Sequence, residues 1–60
     1  MAAKFELYKD GKDEYRWRLK ASNGQVIATS GEGYTTKASA LGGIKSVQRS
    51  AADADVEEPS

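Results

Sequence analysis

The sequence predicts a small α+β domain: a three-stranded antiparallel β-meander followed by one α-helix packed on one face of the sheet. Three observations predict it. Apolar and polar residues alternate in two early stretches, glycine-rich turn chemistry separates the strands, and helical periodicity appears only once, after the last turn.

Residues 4–9 (Lys-Phe-Glu-Leu-Tyr-Lys) alternate as a half-buried strand does, and Asp10-Gly11-Lys12-Asp13 is a turn cluster. Residues 14–21 give the clearest alternation: Tyr15, Trp17, Leu19 and Ala21 point one way, and Glu14, Arg16, Arg18 and Lys20 the other. Asn23-Gly24 signals a two-residue hairpin turn of type I′, since both residues tolerate positive φ. Residues 25–30 form the third strand, ended by Gly31-Glu32-Gly33. Thr35 or Thr36 then caps a helix running to about Arg49, whose apolar stripe is Ala40, Leu41, Ile44, Val47 and Ala51. Residues 1–51 make the domain. Residues 52–60, with only Val56 apolar, read as a disordered acidic tail.

Register follows from loop length. A two-residue turn at Asn23-Gly24 sets Ala21 opposite Val26, Lys20 opposite Ile27 and Leu19 opposite Ala28. An odd loop (Gly11-Lys12-Asp13) in the first hairpin sets Leu7 opposite Trp17 and Phe5 opposite Leu19. An even loop would move Phe5 and Leu7 to the arginine face. The odd loop is preferred because it gathers Phe5, Leu7, Trp17, Leu19, Val26 and Ala28 into one apolar face for the helix to cover.

Sixty residues bury little surface, and a core of this size rarely yields more than about 3–5 kcal/mol without a disulfide, a metal or a partner. The chain has no Cys and no His, so disulfides and thiolate or imidazole metal sites are excluded, and no cofactor is expected. That argues for association with another chain. No apolar run approaches a membrane span, and the start (Met1-Ala2-Ala3-Lys4) lacks a signal-peptide core, so the expected location is cytoplasmic. The zero net charge is uneven. All nine basic residues lie in residues 1–50 beside five acids, and Asp53, Asp55, Glu57 and Glu58 cancel the surplus.

The blocks Phe5-Glu6-Leu7-Tyr8-Lys9, Tyr15-Arg16-Trp17-Arg18-Leu19-Lys20-Ala21-Ser22-Asn23-Gly24, Gly33-Tyr34 and Lys37-Ala38-Ser39-Ala40 resemble the YegP-like family of bacterial proteins, domain of unknown function 1508. The resemblance spans residues 4–50 and implies a three-stranded antiparallel sheet followed by a helix. Longer members carry two copies of the unit in tandem, which implies that a one-copy chain forms a homodimer. Gly42 departs from the polar helix former expected there, and the acidic tail lies outside the shared pattern. No activity comes with the resemblance.

Tyr8, Arg16, Arg18, Lys20 and Ile27 are the candidate functional residues, on the sheet face away from the helix. Tyr8 and Ile27 among charges suit a subunit or partner interface. The alternative is nucleic-acid binding, with Arg16, Arg18 and Lys20 on phosphates and Tyr8 as the stacking platform, because Trp17 faces the other way. Gly31-Glu32-Gly33 with Thr35-Thr36 matches no phosphate-binding motif and reads as a strand-to-helix loop. Gly42-Gly43 marks either a close backbone approach or a weak point in the helix. Asp10, Asp13 and Glu14 share an exposed turn where nothing raises a carboxyl pKa towards neutrality, so they and Glu32 do not suggest an enzyme. The expectation is a structural or interaction module.

Overall fold

In the computed structural model, which describes residues 2–59, three strands precede one helix: β1 (Lys4–Lys9), β2 (Tyr15–Lys20), β3 (Val26–Thr29) and α1 (Lys37–Ser50). The sheet is antiparallel in the order β1-β2-β3. The expected start at Met1 and the final residue of the expected tail, Ser60, lie outside the described residues.

The first hairpin has the expected odd loop and register, with Leu7 opposite Trp17 and Phe5 opposite Leu19. The Asp13 N–H donates to the Asp10 carbonyl at 3.1 Å and the Asp10 N–H to the Glu14 carbonyl at 2.8 Å. This closes Gly11-Lys12-Asp13 into a three-residue loop with Asp13 left-handed at φ 66°. Aspartate tolerates that region because its short polar side chain bonds locally.

The second hairpin corrects the expected turn. Gly24 takes a left-handed φ of 89° but Asn23 does not, so this is not type I′. The Asn23 Oδ1 instead accepts the Gln25 N–H at 3.0 Å. The Gly24 N–H donates to the Ala21 carbonyl at 2.9 Å and the Ala21 N–H to the Gln25 carbonyl at 2.8 Å. The loop is therefore Ser22-Asn23-Gly24, a twin of the first. The extra loop residue sets Val26, not Ile27, opposite Lys20, and Ala21 meets Gln25 rather than Val26. An irregularity between Leu19 and Lys20 then makes Ile27 the additional residue of a β-bulge and restores Leu19 opposite Ala28.

Thr36 caps the helix. Its backbone is extended (φ −127°, ψ 154°) and its Oγ1 accepts the Ser39 N–H at 3.1 Å. The helix packs on β2 and β1 and makes no contact with β3. Trp17, Ala40 and Ile44 form the buried core, with Phe5, Leu7, Tyr15, Tyr34 and Val47 packed around them. The Phe5 and Trp17 rings meet edge to face at 5.5 Å between centroids. Buried Ser30 seals the sheet beside Trp17: its N–H donates to the Trp17 carbonyl at 2.8 Å, and its Oγ accepts the Trp17 N–H at 3.3 Å.

Five expected core residues are not in this core, half-buried Leu19 among them. Val26 is 45% exposed and Leu41 41%, and Ala28 and Ala51 are exposed as well. Val26 leaves because the register moves it opposite Lys20, and Ala28 because the helix lies over the other two strands. Gly43 answers the question raised by the glycine pair: a Cβ there would strike the Tyr34 hydroxyl and come within 3.2 Å of the Trp17 Nε1. Gly42 faces open space. Beyond the helix come a single 3-10 turn (Ala51–Asp53) and exposed residues 54–59 without regular structure.

Candidate functional site

On the outer face of the sheet, period-2 geometry sets three residues of β2 against three of β1: Arg16 opposite Tyr8, Arg18 opposite Glu6 and Lys20 opposite Lys4. The Arg18 Nε donates to the Glu6 Oε1 at 2.7 Å, and its guanidinium lies 4.5 Å from the centroid of the Tyr8 ring. Lys20 reaches the same Glu6 oxygen at 3.4 Å, and Lys4 reaches its other oxygen at 3.8 Å. One carboxylate thus serves three cations.

Asp10 serves the fourth. Its Oδ2 accepts from the Arg16 Nε at 2.6 Å, while its Oδ1 accepts the backbone N–H groups of Lys12 and Glu14 at 2.9 and 3.0 Å. The same side chain therefore ties down Arg16 and shapes the first loop. The hydrogen bond from Arg18 holds the Glu6 carboxyl below its usual range, with Lys20 adding to the effect. Arg16, followed by the Glu14 N–H, does the same for Asp10. The partner carboxylates raise both guanidinium pKa values in return.

The structure thus gathers Tyr8, Arg18 and Lys20 around Glu6, holds Arg16 on the same face through Asp10, and leaves Ile27 outside both groups, at the bulge and 60% exposed. Alternation identified the face but not the partners that neutralise it. Asp10 reads in sequence as a turn residue, yet it is the anchor of Arg16. Its carboxyl is shifted away from neutrality, opposite to what acid–base work at neutral pH requires. Among the described residues there is no pocket, and no cluster of three residues that could ligate a metal. Among the described residues no helix is long and apolar enough to cross a membrane.

A protein from Treponema denticola designated UPF0339 is 57% identical over 58 residues, covering 97% of this chain and 98% of its own. A UPF0339 protein from Stutzerimonas stutzeri, described as lying in the 5′ region of a ptx operon, is 49% identical over 53 residues. That match covers 88% of this chain but 47% of the relative. A solution NMR structure of a protein from Haloferax volcanii superposes with a TM-score of 0.90 at 53% identity, covering 97% of each chain. The three-strand-and-helix architecture is therefore that of an experimentally determined relative, and the family is not confined to bacteria. The family model described as "Domain of unknown function (DUF1508)" matches residues 10–58, so the shared pattern reaches into the acidic tail, which the sequence resemblance had placed outside it. On this match and these relatives, the chain belongs to the DUF1508 family.

Proposed function

We propose that the chain acts through protein contacts as a homodimeric module, with a second copy seated against the uncovered β3 side of the sheet, and that it does no catalysis. The observation that carries this reading is the mismatch between the core and the surface. Among the described residues only three hydrophobic ones are buried, and the chain exposes 4769 Å² of surface. A compact monomer of this mass exposes about 3,800 Å². The exposed acidic tail and the exposed β3 both contribute to the difference. The excess is roughly 900 Å² with the tail's share included, against the ~800 Å² that each partner contributes to a stable interface.

The two edges of the sheet point to the same side. β1 (Lys-Phe-Glu-Leu-Tyr-Lys) carries three charges and is covered by the helix on one face. β3 (Val-Ile-Ala-Thr) carries none, is exposed throughout and has only a bulge to guard it. Val56, 93% exposed, is a further apolar side chain without shelter in its own chain. The relative of which this chain covers 47% has length enough for a second unit, as a covalent pair would require.

Light scattering after size exclusion tests the reading. The expected result is twice the chain mass at micromolar concentration. A stable, folded monomer under those conditions overturns it.

A further inference from the structure

Positive charge is divided between two surfaces that treat it differently. On the sheet, Lys4, Arg16, Arg18 and Lys20 all have carboxylate partners. Helix α1 contains Lys37, Lys45 and Arg49 and no acidic residue. All three are exposed, and none forms an ion pair among the described residues. They lie on one i, i+4 row that passes through the half-exposed Leu41. Each step along such a row advances about 6 Å and turns about 40°, so Lys37 and Arg49 stand roughly 18 Å apart along the axis and about 120° apart around it. Gly42, beside the row, faces open space and leaves the helix backbone approachable.

We propose that this ridge of α1 binds the phosphodiester backbone of nucleic acid, without reading base sequence. Charge complementarity carries the inference. Unpaired cations in water gain from displacing the counterions of a polyanion, whereas cations already held by carboxylates must first give up a partner. An 18 Å row runs alongside about five phosphates of one strand, at roughly 3.4 Å of helix axis per phosphate. Two lysines and an arginine on flexible stems suit phosphate contacts rather than base readout. The nucleic-acid surface is thus the helix and not the sheet face that the sequence singled out.

The experiment is fluorescence anisotropy of the full chain with duplex DNA and duplex RNA of about 24 base pairs, from about 20 to about 150 mM salt. The expected result is binding to at least one duplex at the lowest salt, weakening with a log–log slope of about −3 per chain. The variant Lys37→Gln/Lys45→Gln/Arg49→Gln is expected to bind at least about tenfold more weakly at low salt. Lys4→Gln/Lys9→Gln/Lys12→Gln removes the same net charge from outside both the ridge and the candidate sheet residues and is expected to stay within about threefold of the parent. Far-UV circular dichroism confirms that both variants fold. Absence of binding to both duplexes at the lowest salt overturns the proposal. So does a ridge variant that loses no more than the equal-charge control, which would show that net charge alone was at work.

Discussion

The two hairpins share strand β2 and close with the same kind of three-residue loop, yet they stand in different surroundings. The first, β1 with β2, runs in unbroken register beneath the helix and holds Trp17 at the centre of the core. The second, β2 with β3, is interrupted by a bulge, lies outside the reach of the helix and exposes every residue of β3. Strands thus pair on both sides of β2, with a bulge on one side, while the helix covers only the other. A strand can form without being covered, and the uncovered one is where we propose that a second chain sits.

The covered hairpin breaks most easily at its centre. Trp17→Ala is expected to cost about 3–5 kcal/mol, comparable to the whole stability of so small a core, and to leave the chain unfolded by near-UV circular dichroism. The helix that covers it is tested by its two glycines. Gly43→Ala drives a methyl group into Tyr34 and Trp17 and should lower the urea midpoint by the equivalent of about 1–3 kcal/mol. Gly42→Ala meets open space and should raise it by about 0.8–1 kcal/mol. Equal effects at the two positions would contradict the packing of α1 on the sheet.

Much of the fold is legible in the sequence, and the reasons for the rest are physical. Alternation around Trp17 is strong because Arg16, Arg18 and Lys20 are all on the opposite face, and an odd first loop was the only register that joined Phe5 and Leu7 to that core. Asn23-Gly24 misled because the dipeptide serves two turns. Type I′ needs positive φ at both residues, whereas the three-residue loop needs it at Gly24 alone and lets Asn23 bond to Gln25. That one residue moved Val26 out of the apolar face. The exposure of Ala28 and Leu41 has another origin, since periodicity gives the apolar side of a helix but not the strands on which it lands. The candidate site was legible as a face and not as a circuit. Glu6 stands opposite Arg18 and could be read from register, while the bond between Asp10 and Arg16 depends on how the first loop folds back.

The twin loops offer a smaller test. Gly24→Ala puts a side chain in the left-handed region and should destabilise by about 1–2 kcal/mol. Asp13→Gly relieves the same conformation in the first loop and should gain about 0.5 kcal/mol, after the greater flexibility of the unfolded chain is counted. The smallest expected effect is on pH. Glu6 and Asp10 titrate below their ordinary ranges in the folded chain, so their contribution is fully present above those ranges and is lost as pH falls through the depressed values. The urea midpoint should therefore drop between about pH 5 and pH 3, and Glu6→Gln/Asp10→Asn should flatten that dependence.

The difference between the hairpins is tested most directly by the mass in solution of the parent and of Ile27→Lys, measured side by side by light scattering. Ile27 is 60% exposed in the single chain, so the lysine should leave its fold intact. The account predicts a dimeric parent and a folded, monomeric variant. A folded monomer in both cases, or a dimer in both, would show that the open side of β3 is not where two copies meet.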